Sequence, residues 1–258
     1  MIQRIHAIST FPAQAWDDDH PKFRGYAKRF VDSFLAYWDI PLTVYYEPGQ
    51  DTSNPHVTWR PLNDIEIPWP GGVKGFRQKF QRQAHTARFC CKVFAQYDQW
   101  RRSSDLFVFV DADVITFKPF PAGKLCPEWL DDKPIACLRR DRLSTETGFV
   151  IVDPVHPQWK KFADVYFNIY WKGEASHFGG GMDGYVFDEA LKKSKVEVAN
   201  LNDDTVNNHP FAESSRLNQY MDHLKGARKE KGYSKEHALN WYEQEQYATT
   251  DDSDLYRV

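Results

Sequence analysis

Two aspartates one residue apart, Asp111 and Asp113, follow directly on the most apolar run of the chain, which begins after Asp105. Carboxylates at that spacing, where a strand ends and turns, can both approach one divalent cation. Their mutual repulsion is relieved only by a cation or a proton. Hard oxygen donors suit Mn²⁺ or Mg²⁺, whose open positions accept diphosphate oxygens. Two further D-x-D pairs, Asp17/Asp19 and Asp252/Asp254, fall in a polar loop and in the tail and read as solvated charge. Position sets Asp111 and Asp113 apart, because ligands of open α/β sheets bind beyond the carboxyl ends of the strands.

A second group of chemically capable residues is His223, Gly226 and Lys229, each three positions after the last. A neutral imidazole is a good ligand for Mn²⁺-like ions. The glycine lets the backbone approach a phosphate, and the lysine offers a positive charge. Taken alone, the segment reads equally as a basic turn with an incidental histidine. Arg88 and Lys92 are one helical turn apart and share a face, from which they could reach donor phosphates or balance the aspartates. Asp183 follows the run Gly179-Gly180-Gly181, a loop that could admit a sugar closely. His6 and His209 read as structural.

These residues need a scaffold, and the hydrophobic pattern supplies one. Arg4 to Thr10 is β-like. Phe23, Tyr26, Phe30, Phe34 and Trp38 recur at helical spacing, and Leu42 to Tyr46 reads as a second strand, so the chain opens β-α-β. Residues 48 to 76 are rich in Pro, Gly, Asn and Asp and read as one long loop. A helical stripe then runs through Phe80, Ala84, Ala87, Cys91 and Phe94 to Trp100. The apolar run before Asp111 reads as a strand buried on both faces. Strands are also expected over Ile135 to Leu138, Phe149 to Val152 and Val196 to Leu201, with a helix through Trp159, Phe162, Tyr166 and Tyr170. Such alternation predicts an α/β domain with a mostly parallel sheet covered on both faces, over residues 1–233. The remainder, 234–258, is polar and reads as an appendage.

The two anchors together resemble the GT-A-fold (Rossmann-like) glycosyltransferases, and among them the retaining family 8 group that includes glycogenin and lipopolysaccharide galactosyltransferases. That group carries H-x-x-G-x-x-K late in its catalytic domain, matched here by His223, Gly226 and Lys229, and a D-x-D after a strand, matched by Asp111 and Asp113. Its arginine on the preceding helix resembles Arg88. Its N-x-G strand segment resembles Glu146-Thr147-Gly148. The resemblance implies that Asp111, Asp113 and His223 hold Mn²⁺ or Mg²⁺. It implies donor contacts at Thr10, Arg88, Lys92, Ala112, Gly226 and Lys229, and sugar or acceptor contacts at Thr147 and Gly148. It also places Asp183 near the reacting carbon, where it could bind hydroxyls, act as base, or stabilise an oxocarbenium-like transition state. The donor implied is a UDP-sugar. The metal, Lys229 and the Gly226 amide would stabilise charge developing on the diphosphate.

Composition bounds the alternatives. The chain has 258 residues, 41% of them hydrophobic and 16% aromatic, and a formal net charge of -3. That charge excludes a global basic field aimed at nucleic acid or an anionic membrane. Two local basic clusters, Arg139/Arg140/Arg142 and Lys225 to Lys235, nevertheless leave DNA open as an acceptor. The start MIQRIHAIST lacks a secretory apolar core and no run of about 18 apolar residues occurs, so a cytoplasmic protein is expected. The four cysteines form no C-x-x-C pair, which argues for reduced thiols rather than a disulfide or zinc framework. A phosphatase of the haloacid dehalogenase type also places D-x-D after an apolar strand. There it is the first strand, whereas here a β-α-β unit comes before, and His223 would have no work to do.

Overall fold

The computed structural model describes residues 4–17, 25–141, 143–202, 211 and 215–224. Gly226, Lys229 and residues 234–258 lie outside them. The chain enters through β1 (Ile5–Phe11), crosses back in α1 (Tyr26–Tyr37) and lays β2 (Leu42–Tyr46) parallel to β1, with Ala7 opposite Leu42. Pro41 ends the crossover because proline cannot continue a helix.

The segment 48–76 is more ordered than its composition suggests. It contains a third parallel strand, β3 (Val57–Pro61), and the start of a helix, α2 (Gly72–Lys79). Strand β3 lies at the sheet edge, where Pro61 forfeits no ladder hydrogen bond. Only Val57 of its residues is buried, which left no hydrophobic alternation to read. Phe80 closes α2, and the long helix α3 (Ala84–Arg102) begins after it.

From α3 the chain runs into β4 (Leu106–Val110), parallel to β1 on the side away from β2. All five residues of β4 are buried, and they alternate between two cores. Leu106, Val108 and Val110 pack on the α1 side, and Phe107 and Phe109 on the α3 side, as the two-residue period of a strand requires. Each fully buried side chain of this size contributes about 1.5–3 kcal/mol of transfer free energy.

After a short strand β5 (Val114–Thr116) and helix α4 (Ala122–Leu130) come β6 (Ile135–Leu138) and β7 (Glu146–Val152). Helices α5 (Trp159–Trp171) and α6 (Asp183–Ser194) follow, then β8 (Ala199–Asn200), shorter than the expected 196–201 strand, and β9 (Met221–His223). The seven-stranded sheet has the order β3-β2-β1-β4-β7-β6-β8. It is parallel except at β7, which runs antiparallel to both β4 and β6. That reversal brings the start of β7 beside the carboxyl end of β4. Strands β5 and β9 form a separate antiparallel pair. Among the described residues no helix is long and apolar enough to cross a membrane.

Candidate active site at the end of β4

The site is assembled where β4 stops. The Asp111 amide donates to the Gly148 carbonyl at 2.8 Å, and the Val114 amide returns to the Asp111 carbonyl at 3.1 Å, so Asp111, Ala112 and Asp113 form a tight turn. Ser9 Oγ on β1 donates to the Val110 carbonyl at 2.7 Å and fixes the strand end from the other side. Strand β5 leaves this turn and pairs with β9 in a register that sets Val114 opposite His223. The Leu224 amide donates to the Asp113 carbonyl at 2.7 Å. Strand β9 is itself anchored by Leu217 and Met221, both fully buried in the α1-side core. His223 therefore reaches the aspartates through a ladder, across 110 residues of sequence.

His223 Nε2 lies 2.9 Å from Asp113 Oδ1 and 3.7 Å from Asp111 Oδ2. One ligand atom from each of the three residues lies within 4.8 Å of the other two. Two carboxylates and one imidazole with a nitrogen turned between them match the donor set of Mn²⁺ or Mg²⁺. Burial pushes the Asp111 carboxyl above its usual range and Asp113 adds to the rise, while Lys92 opposes it. Such strain is what a bound cation relieves.

Lys92 occupies a different place from that of an exposed phosphate contact. Its side chain is 4% exposed. Its ammonium donates to Asp111 Oδ1 at 2.9 Å, Thr147 Oγ1 at 3.1 Å and Asp183 Oδ2 at 2.7 Å. The Thr147 hydroxyl donates to Asp183 Oδ2 at 2.7 Å. Burial alone would raise the Asp183 carboxyl, but the Lys92 charge and the hydrogen bonds from Lys92 and Thr147 hold it below the usual carboxylate range. Asp183 is thus kept ionised at the first turn of α6, where the helix dipole also favours negative charge. Gly184 lets α6 start there, because a Cβ would strike the Thr145 carbonyl and come within 2.7 Å of Ser144 Oγ.

A cleft of about 730 Å³ opens from Asp111, Ala112 and Asp113 along the ends of β1 and β2. Thr10, Arg88 and Lys92 line it, as do Phe11, Tyr26 and Glu47. Arg88 is exposed there, its guanidinium 5.2 Å from the Phe89 ring centroid. Thr147 and Gly148 are buried behind the site rather than open to it: Thr147 holds Asp183, and Gly148 lies under the His223 ring. Two residues in the site that the sequence reading passed over are Glu47 and Glu146. Glu47 follows β2 directly and pairs with Arg77 at 2.6 Å; its place at a strand end was the available signal. The arginines that left DNA open as an acceptor are already engaged. Arg139 pairs with Asp188 at 3.0 Å, and Arg140 donates to the Ser144 carbonyl at 2.7 Å. Arg142 and the 225–235 cluster lie outside the described residues. The four cysteines are free and buried.

Fold and site together define an α/β domain with a carboxylate-imidazole cluster in the crevice at the strand ends. No family model matches the sequence, and no curated protein matches it. Solved structures of similar outline are glycosyltransferases by name. The apo form of mouse xyloside xylosyltransferase 1 shares 11% identity at a TM-score of 0.49, over 74% of this chain and 82% of that one. The apo form of the glycosyltransferase GlyE from Streptococcus pneumoniae TIGR4 shares 10% at 0.48, over 78% of this chain. PaToxG Glycosyltransferase shares 15% at 0.44, over 74% of this chain and 69% of that one. The chain spans 45% of the length of GlyE. At these values the likeness decides nothing about this chain, and its activity must be argued from the residues.

Proposed function

We propose that this protein is a glycosyltransferase that moves a sugar from a nucleotide diphosphate donor, with a divalent cation held by Asp111, Asp113 and His223. The observation that carries this reading is the convergence of those three side chains, 110 residues apart for Asp113 and His223, at the mouth of a cleft of about 730 Å³. Bound there, Mn²⁺ or Mg²⁺ would supply positive charge to the diphosphate as the sugar-phosphate bond breaks. Thr10 and Ala112 line that cleft, and Arg88 is an exposed cation in it, as is Lys74. Gly226 and Lys229, which follow His223, are assigned to the diphosphate by the motif resemblance. Asp183, held ionised by Lys92, is the carboxylate closest in role to the reacting sugar. The resemblance to family 8 makes UDP the first nucleotide to try. With Arg139 and Arg140 engaged internally, a nucleic-acid acceptor loses two of the cations that suggested it.

The test is a thermal-shift screen of nucleotide sugars with and without Mn²⁺. A UDP-sugar is expected to raise the melting temperature in Mn²⁺ and to do nothing in EDTA. Equal stabilisation in EDTA removes the metal from the reading. Hydrolysis of a generic aryl phosphate would instead favour the haloacid dehalogenase-type phosphatase.

A further inference from the structure

Glu146 opens β7 and is 4% exposed. Its Oε1 accepts the Gly148 amide hydrogen at 3.0 Å, and the same oxygen lies 3.6 Å from Nδ1 of His223. Gly148 makes this approach possible. A Cβ there would come within 2.7 Å of His223 Cε1, 2.8 Å of Nδ1 and 3.0 Å of Glu146 Oε1. The opposite ring nitrogen, Nε2, faces Asp113 and Asp111. A neutral imidazole carries one proton. If Nε2 holds it, the ring donates to Asp113 and offers a cation no lone pair; ligation through Nε2 requires the proton on Nδ1. Nδ1 is buried and has no hydrogen-bond partner among the described residues. Glu146 Oε1 faces it, less than about 1 Å beyond hydrogen-bonding distance.

We propose that Glu146 is a positioning residue for the metal ligand. Its carboxylate accepts a hydrogen bond from Nδ1–H of His223, fixes the ring plane over Gly148, and leaves Nε2 bare toward Asp111 and Asp113. An anionic acceptor on the far nitrogen also makes Nε2 a stronger donor to a cation. The inference rests on the three residues forming one cation site, and the experiment separates the two ideas.

Mn²⁺ is titrated into the full chain and followed by electron paramagnetic resonance, for wild type, Asp113→Ala, Glu146→Leu and Glu146→Gln. Circular dichroism monitors the fold. Glu146→Leu is expected to weaken Mn²⁺ binding about ten- to a hundredfold. Glu146→Gln, whose amide oxygen still accepts from Nδ1–H, recovers most of it. In metal-free wild type, where no cation dictates the tautomer, the ¹⁵N shifts of His223 are expected to report Nδ1–H, and in Glu146→Leu to move toward Nε2–H. Wild-type affinity in Glu146→Leu, with binding lost in Asp113→Ala, overturns this proposal and leaves the cation site standing. Wild type that binds no Mn²⁺ overturns both. If Glu146→Leu does not fold, the Gln variant and the tautomer decide: an Nε2–H ring in metal-free wild type refutes the role given to Glu146 and leaves the cation site standing.

Discussion

His223 stands directly opposite Val114 in the β5–β9 ladder, and Val114 is the residue after Asp113. The ladder, rather than a flexible loop, joins the imidazole to the carboxylates. Residues that hold one ion lose function together, because contacting groups couple. His223→Ala and Asp113→Ala are each expected to abolish most metal-dependent donor binding, with the double variant scarcely worse. Isothermal titration of UDP in Mn²⁺ measures this. Additive losses would indicate two independent sites.

Asp183 should matter for turnover and little for donor affinity. Asparagine keeps the size and the hydrogen-bond acceptor but removes the charge that Lys92 maintains. Asp183→Asn is expected to lower turnover at least about a hundredfold while nucleotide binding stays near wild type, the pattern of an interaction made mainly in the transition state. Weakened binding with unchanged turnover would move Asp183 out of the reacting centre.

Lys92 answers to stability as well as to chemistry. It neutralises Asp111 and Asp183 in a buried setting, and removing one member of such a cluster leaves uncompensated charge. Lys92→Met is expected to cost about 3–5 kcal/mol in urea unfolding. Adding Asp183→Asn to it should return part of that loss, since one of the two stranded charges is gone. A Lys92→Met variant as stable as wild type would show that the cluster is not buried as described.

The cleft can be footprinted through its one thiol. Burial pushes the Cys126 and Cys90 thiols well up, and Cys137 up to about 12. The Cys90 thiol donates to the Ala87 carbonyl at 3.3 Å. Cys91 alone of the four lines the cleft. Mass spectrometry after iodoacetamide treatment should find Cys91 modified first, with UDP and Mn²⁺ protecting it. Indifference to the nucleotide would place the donor elsewhere.

Much of the scaffold was legible in the residues. The apolar run of β4 and the helical stripe of α3 are periodic enough to be read directly, and Asp111 and Asp113 follow from being at the strand end. The Gly-rich stretch before Asp183 concealed α6, because three glycines at positive φ precede a helix whose first turn carries no side-chain cap. Strand β3 was missed because an edge strand with one buried residue has no alternation to show. Lys92 read as sharing a face with Arg88, reaching donor phosphates or balancing the aspartates, and it balances Asp111 from a buried position. Helical spacing gives a shared face but not depth, and only tertiary packing shows one cation buried and the other open. Glu146 stood in the segment Glu146-Thr147-Gly148 without a role of its own, since that role depends on the ring of a residue 77 positions away in the numbering.

Strand β7 has a consequence for how this protein can change. Successive residues of a strand point to opposite sides of the sheet, and here the two sides meet different chemistry. Glu146 turns toward His223, and Thr147 turns toward Lys92 and Asp183. Under the proposed function, the strand stands between the residues assigned to the donor's leaving group and those assigned to the sugar, with Lys92 joining the two through Asp111 and Asp183. Variation on either side is therefore felt on the other through Lys92, because contacting groups couple. A single insertion in β7 would exchange the two sides and disable both at once.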